Sequence, residues 1–245
     1  MSHFGQVHVV SLDASVNRFR TFINRNNGLK DVIRISGVDG KTIDRARLVG
    51  DGLIAADLKY TPGSIGCALS HIELWKKAAS EQRILTIFED DVVCAPQFAE
   101  RAAAVAAKTP AQWDIILWGF DYNQLFIWLD LGFARAKLEF YSRKWSGDSG
   151  VFPNSYTPPT PMKVAHCFGT LAYSITPKGA ETLLRHCLPI QNKTIPFPGT
   201  NVRLDNTRID CLMCEIYPQM QVFACIPPLA LHDDLQASDR VERNA

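Results

Sequence analysis

The sequence has no apolar stretch that approaches the roughly 20 residues needed for a membrane-spanning helix. The N-terminal stretch MSHFGQVHVVSLD lacks a basic region followed by a long apolar run, so no secretory signal is predicted. Internal repeats and low-complexity tracts are also missing. We therefore expect a cytoplasmic protein whose membrane contact, if it has one, is peripheral and at the inner face.

A large excess of either charge is missing as well. The 26 basic and 25 acidic side chains leave a formal net charge of +1. Proteins that bind nucleic acid usually carry a basic excess, so we do not expect a nucleic-acid partner. A charged ligand would have to be bound by a local group of residues.

The cysteines do not form an obvious disulfide framework. There are seven, an odd number, and they are spread through otherwise globular sequence, which favours reduced thiols and the cytosol. Cys211 and Cys214 form a CLMC motif, with Cys225 and His232 downstream as further potential zinc ligands. A zinc knuckle needs a second close pair, which is missing, so buried thiols on an apolar helix are the preferred interpretation.

Strand and helix patterns alternate along most of the chain. At 245 residues and 47% hydrophobic, the chain can bury a sizeable core, and we predict one α/β domain over residues 1–245. The predicted strands include VHVVSL, DVIRIS, RILTIF, WDIILWGF and QVFACI; the predicted helices follow Ser15, Pro62, Pro96 and Pro177 and cover about 209–216. This alternation predicts an open, mostly parallel sheet.

The regular pattern stops between about residues 120 and 163. This segment is rich in aromatic residues, too apolar for a disordered linker and too irregular for another strand and helix unit. We interpret it as an irregular insertion folded over one face. It could build a binding site or a lid, touch a membrane, or complete the core.

Three consecutive acids, Glu89, Asp90 and Asp91, follow the apolar strand RILTIF. Like charges this close repel each other unless something compensates them. In extended backbone Glu89 and Asp91 would lie on one face and Asp90 on the other. Two carboxylates so placed, at the carboxyl end of a strand, could share Mn²⁺ or Mg²⁺. The alternative is an acidic turn that stabilises the following helix through its dipole.

The residues 63–93, GSIGCALSHIELWKKAASEQRILTIFEDDV, resemble the signature of glycosyltransferase family 25. That family includes bacterial lipooligosaccharide galactosyltransferases and collagen galactosyltransferase domains. Other segments resemble the family in the same order, namely VVSLDASVNRF, GVDGKT, LAYSITPKGAETLL and IPPLALHDD. The resemblance implies a single Rossmann-like domain of the GT-A type, with a UDP-sugar donor and Mn²⁺ (or Mg²⁺) held by an acidic motif.

The resemblance also implies roles for the acids and for a late histidine. Glu89 and Asp91 are the candidate metal ligands, and Asp90 would face the donor sugar or ribose in the catalytic centre. His232 is a candidate third metal ligand, because many GT-A enzymes complete the metal site with a late histidine. A surface histidine in a polar tail is the equally weighted alternative.

Nucleotide-binding and catalytic candidates complete the predicted site. Asp13, Arg18 and Asp39 are placed for nucleotide contacts, although each could instead cap or tether a turn. Ser70 and His71 would lie at the site edge, where His71 could bind phosphate or sugar; a structural histidine is the favoured alternative.

Asp210 is the candidate catalytic base by its family position, with helix capping as its alternative and Glu181 as a weaker candidate base.

These expectations combine into one reaction and two rivals. The expected reaction is metal-dependent, inverting transfer of a hexose, with UDP-galactose as the leading donor, to a hydroxyl of a saccharide or glycolipid such as lipooligosaccharide. The first rival is a metal-dependent phosphohydrolase or nucleotidyltransferase, since acids holding a metal serve that chemistry too. The second is a nucleotide-sugar-binding protein that has lost turnover.

Overall fold

The structure is a computed structural model that describes residues 5–121, 126–140, 157–197 and 200–232. The helices are α1 (Val16–Arg25), α2 (Arg45–Gly50), α3 (Pro62–Ser80), α4 (Phe98–Lys108), α5 (Pro177–Cys187) and α6 (Ile209–Ile216), with a 3₁₀ turn at Tyr217–Gln219. The strands are β1 (Gln6–Ser11), β2 (Ile33–Ser36), β3 (Leu85–Glu89), β4 (Val92–Cys94), β5 (Ile115–Gly119), β6 (Ile127–Asp130), β7 (Arg135–Leu138), β8 (Thr160–His166), β9 (Ala172–Ile175), β10 (Thr194–Pro196), β11 (Arg203–Asp205), β12 (Val222–Ile226) and β13 (Ala230–His232).

Nine strands form one sheet in the order β2-β1-β3-β9-β5-β12-β8-β6-β7. The pairings of β1 with β2, β1 with β3 and β12 with β5 are parallel, whereas β9, β8 and β7 run antiparallel to their neighbours. Six of the nine strands therefore share one direction. This confirms the predicted α/β fold with an open sheet whose strands mostly share one direction, although its pairings are mixed, with three parallel and five antiparallel.

Apolar residues cover both faces of the sheet. Ile87 and Phe88 are consecutive in β3, yet they belong to two different buried clusters. Successive strand residues point to opposite faces, so a strand that is buried on both sides must be apolar at every position. Helices α3, α5 and α6 contribute to the first cluster, and α1 and α4 to the second.

Helix α3 begins with a strong local signal and packs its inner face into the core. Thr61 caps it, because its Oγ1 accepts a hydrogen bond from the backbone N–H of Ser64 at 3.1 Å, and Pro62 occupies the first turn. The inner face of α3 buries residues as large as Trp75. The helix thereby holds its first two turns against the carboxyl edge of the sheet.

The described part of the segment 120–163 is more regular than the sequence indicated. Strands β6 and β7 form an antiparallel hairpin that extends the sheet through β8. The burial of β6 alternates along the strand, as expected when only one face of a strand is in the core, and this short period was hidden among the aromatic residues. Residues 122–125 and 141–156 lie outside the described residues.

Two sequence interpretations are also settled. Cys211 and Cys214 are buried on α6, which confirms that the CLMC motif belongs to the core. No helix in the described ranges combines the length and the apolarity that crossing a bilayer requires.

Candidate active site

A cleft of about 620 Å³ opens at the carboxyl edge of the sheet. Its walls come from residues within 10–18, 37–41, 61–71 and 89–91. These segments follow β1, β2 and β3 or begin α3. Val10 lies opposite Glu89 in the parallel pairing of β1 with β3, so the loops after both strands leave the sheet at the same level. Open α/β sheets bind ligands in such a crevice.

The Asp90 carboxylate accepts hydrogen bonds from one residue of β1 and one residue of α1. Its Oδ2 accepts a hydrogen bond from Ser11 Oγ at 2.7 Å, and its Oδ1 accepts from Arg18 Nε at 2.9 Å and Nη2 at 2.6 Å. Burial raises the pKa of the Asp90 carboxyl, and the hydrogen bonds from Arg18 and Ser11 oppose that rise. Both carboxylate oxygens are thus engaged by the protein itself.

Asp91 lies beside His232, so the structure brings together two of the three candidate metal ligands. His232 Nε2 is 3.2 Å from Asp91 Oδ2, and Arg18 Nη2 donates to the same oxygen at 3.1 Å. The contact with His232 arises because β13 pairs with β4, which places His232 opposite Val92. Asp91 Oδ1 is buried and has no hydrogen-bond partner among the described residues.

Glu89 faces a different group of residues from Asp91. Its Oε1 accepts a hydrogen bond from Thr170 Oγ1 and lies 3.6 Å from His71 Nε2. The expectation that Glu89 and Asp91 share one face, with Asp90 opposite, is wrong. Asp90 and Asp91 form a turn between β3 and β4, so the strand alternation ends at Glu89 and Arg18 contacts both aspartates.

Ser70 and His71 line the cleft from α3, and both also have structural contacts. Ser70 Oγ accepts from the backbone N–H of Val38 at 2.9 Å and donates to the Gly66 carbonyl at 2.8 Å, so it holds the loop after β2. His71 Nδ1 lies 2.8 Å from the Tyr173 hydroxyl, which also accepts a hydrogen bond from Trp75 Nε1.

Asp13 does not reach the cleft, whereas Asp39 lies in its wall. The Asp13 carboxylate accepts hydrogen bonds from Ser36 Oγ at 2.6 Å and Arg34 Nη2 at 2.8 Å, and both contacts lower its pKa. The tether described as its alternative is therefore what the structure shows. Asp39 Oδ1 accepts from the Lys41 backbone N–H at 2.9 Å, which also shapes a turn.

Asp210 lies in the first turn of α6, next to the cleft. Its Oδ2 accepts the Gly169 backbone N–H at 3.0 Å, and its Oδ1 is buried without a hydrogen-bond partner among the described residues. Arg208 Nε is 3.8 Å from that Oδ1. The capping position of α6 is Arg208, so Asp210 does not cap the helix. The other candidate base, Glu181, is on α5 and is 46% exposed.

Two residues of the site escaped the sequence interpretation. Cys67 lines the cleft and also a small depression that it shares with Thr170 and Asp210, so it connects the two. Thr170 precedes β9 and holds Glu89. Cys67 lies four residues before His71 on α3, and that spacing on one helix face was the signal available for it.

Comparisons with known proteins agree with one another. The family model described as "Glycosyltransferase family 25 (LPS biosynthesis protein)" matches residues 4–202. A "Glycosyltransferase 25 family member" of Anopheles gambiae is 29% identical over 167 residues, or 63% of this chain and 24% of that protein. One of Aedes aegypti is 28% identical over 190 residues, or 73% and 27%. The chain spans about a quarter of the length of these curated relatives.

Proposed function

Because the chain belongs to glycosyltransferase family 25, we propose that it transfers a hexose, most simply galactose from UDP-galactose, to a hydroxyl of a saccharide acceptor. The acceptor class would be a glycolipid such as lipooligosaccharide, reached from the cytoplasmic side of a membrane. The transfer would depend on Mn²⁺ or Mg²⁺ and would invert the anomeric carbon.

The observation that carries the proposal is the acidic turn at the mouth of the cleft. Asp91 offers a buried, unpartnered Oδ1 among the described residues, and the His232 imidazole lies 3.2 Å from its other oxygen. A carboxylate and an imidazole beside an open cleft suit a divalent ion that keeps further positions for diphosphate oxygens. The residues present therefore fit the metal, with Asp91 and His232 as its ligands and without Glu89.

When bound, the ion would neutralise the charge of the departing diphosphate. Arg18 supplies a second positive charge at the same place, since its guanidinium lies against Asp90 and Asp91 and lines the cleft. Asp90 would hold that guanidinium in position by accepting hydrogen bonds from its Nε and its Nη2. Asp39, which also lines the cleft, would accept hydrogen bonds from the uracil or the ribose.

Asp210 would act as the general base on the acceptor. Its Oδ1 accepts no hydrogen bond from the described residues, while its Oδ2 is fixed by the Gly169 backbone. A carboxylate held by one oxygen can take the proton of an acceptor hydroxyl with the other as the new glycosidic bond forms. The bond from the anomeric carbon to the diphosphate breaks on the opposite face, so the product is inverted.

The first experiment is calorimetric titration of UDP into the purified chain, with Mn²⁺ and then with a chelator. We expect binding that requires Mn²⁺ and is lost in Asp91→Ala. The control is Asp13→Ala, which removes the same charge outside the cleft and should bind like the wild type.

Binding that is absent in the folded wild-type chain, or equal in both variants, would contradict the UDP-sugar assignment. Release of UDP from UDP-galactose that needs no acceptor would instead favour a hydrolase.

A further inference from the structure

We propose that Cys67, His71 and Glu89 form a second metal site in the wall of the cleft, one that takes a softer ion of the Zn²⁺ class. The thiol, an imidazole nitrogen and a carboxylate oxygen of these three residues all lie within 4.8 Å of one another. The proposal goes beyond the transferase reaction and does not depend on it, because it uses neither Asp91 nor His232.

The backbone brings the three donors together. Cys67 and His71 are four residues apart on α3, so both side chains lie on the same helix face. Glu89 ends β3, the strand that runs beneath this helix. All three residues line the cleft, so a bound ion would keep an open coordination position on the cleft side. Three protein ligands and one open position are typical of reactive zinc sites.

The distance between His71 and Glu89 suits a shared ion better than a hydrogen bond. His71 Nε2 and Glu89 Oε1 are 3.6 Å apart. A hydrogen bond between them would be shorter, at about 2.9 Å. Two ligand atoms each about 2.0 Å from a tetrahedral ion lie about 3.3 Å apart, so a small adjustment of either side chain would complete the geometry.

The burial of His71 points the same way. The residue is 1% exposed, yet its Nε2 has no hydrogen-bond partner among the described residues. Buried polar atoms are normally paired, and an unpaired one calls for an explanation. A bound ion would supply the missing partner.

The contacts behind the donors resemble those that orient metal ligands. His71 Nδ1 faces the Tyr173 hydroxyl at 2.8 Å, and Trp75 Nε1 holds that hydroxyl from the other side. Glu89 is held by Thr170. Histidine ligands commonly use the second ring nitrogen for such a hydrogen bond.

The chemistry of the donors selects the ion. A thiolate with an imidazole and a carboxylate suits Zn²⁺ or Co²⁺, whereas Mn²⁺ and Mg²⁺ prefer oxygen ligands. We therefore expect Zn²⁺ or Co²⁺ to prefer the site of Cys67, His71 and Glu89, and Mn²⁺ or Mg²⁺ to prefer the acidic turn.

The test uses Co²⁺ as a coloured substitute for Zn²⁺, titrated into the reduced, metal-stripped full chain without nucleotide. We expect one equivalent to produce a thiolate-to-cobalt charge-transfer band and visible bands of tetrahedral intensity, both abolished by one equivalent of Zn²⁺. Cys67→Ser should lose the charge-transfer band, and His71→Gln should weaken binding at least about tenfold. Cys94→Ser, which changes the other partly exposed cysteine, is the matched control and should behave like the wild type.

An unchanged circular dichroism spectrum and an unchanged urea-unfolding midpoint in the absence of metal would show that each variant is folded. A wild-type chain without the charge-transfer band, or a band that persists in Cys67→Ser, would overturn the proposal. Asp91→Ala should keep the cobalt spectrum even though it is expected to lose UDP. Loss of the cobalt spectrum in Asp91→Ala would show that there is one site instead of two.

Discussion

Arg18 donates two hydrogen bonds to a single oxygen of Asp90, from Nε at 2.9 Å and from Nη2 at 2.6 Å. The same Nη2 also contacts Asp91 at 3.1 Å. A helix that follows β1 therefore compensates two of the three acids that follow β3. Consecutive acids repel one another less when a shared guanidinium lies between them, and this pair of contacts fastens α1 to the acidic turn.

Replacing Arg18 should destabilise the chain. In Arg18→Met the two aspartates are mostly buried and lose the guanidinium that hydrogen-bonds to both, so we expect the free energy of unfolding to fall by about 2 kcal/mol. Urea unfolding measures the change. Arg20→Met alters an exposed arginine on the same helix and should cost close to nothing. Equal losses in the two variants would contradict a compensating role for Arg18.

Asp210→Asn should remove catalysis and keep donor binding. The amide oxygen of asparagine can still accept the Gly169 backbone N–H, but it cannot take a proton. We expect the rate of transfer to fall by about 10²-fold or more with little change in the affinity for UDP. Glu181→Gln is the control and should be as active as the wild type. An Asp210→Asn variant with normal turnover would remove Asp210 as the base.

Gly66→Ala should disturb the cleft wall. A Cβ at Gly66 would lie 2.4 Å from the Val38 carbonyl oxygen and 2.8 Å from the Gly40 backbone nitrogen, and backbone atoms cannot easily move aside. We expect a loss of about 1–3 kcal/mol in the free energy of unfolding, with weaker UDP binding. Gly50→Ala, where a Cβ meets nothing within 4 Å, should be neutral or slightly stabilising.

Mild acid should destabilise the fold through His166. Burial lowers the pKa of His166 to about 4, whereas an unfolded chain takes up the proton near 6.5. Between these values the unfolded state binds more protons, so the free energy of unfolding falls as the pH drops through this window, by up to about 3 kcal/mol. Burial lowers the pKa of His8 as well, which acts in the same direction.

Urea unfolding at several pH values between 7 and 4.5 tests this effect. The His166 ring packs against Phe168 and Phe197, so His166→Phe should be tolerated and should flatten the pH dependence without abolishing it. An unchanged pH dependence in the variant would rule out His166 as a source.

Local patterns predicted much of the fold and the place of the acids. The helix predicted at about 209–216 is α6, and the strand before the acids is β3, inside the sheet and with its carboxyl end at the cleft. These elements are long enough, or apolar enough, for their period to be read. Strands of three residues such as β4 and β13 leave no period, so local pattern could not pair them, and only the family resemblance associated His232 with Asp91.

Side-chain direction was harder to predict than position. Asp13 lies at the end of β1, as expected, but its carboxylate turns to Arg34 and Ser36 on the neighbouring strand. The turn at Asp90 and Asp91 also gives Asp91 different neighbours from Glu89, with which it was predicted to share a metal ion. The sequence contains seven cysteines and does not distinguish Cys67 from the others. The packing of α3 against β3 brings Cys67 close to Glu89. Such details depend on tertiary contacts that local sequence does not encode.

The position of β12 and β13 has a consequence for how this fold can be shortened. The family match ends at residue 202, yet β12 lies inside the sheet between β5 and β8, and β13 supports the acidic turn. A polypeptide ending at residue 202 would leave β5, β8, β4 and β10 each without a pairing strand and would lose both Asp210 and His232. The part of the chain that must fold together therefore extends beyond the residues that the family model matches.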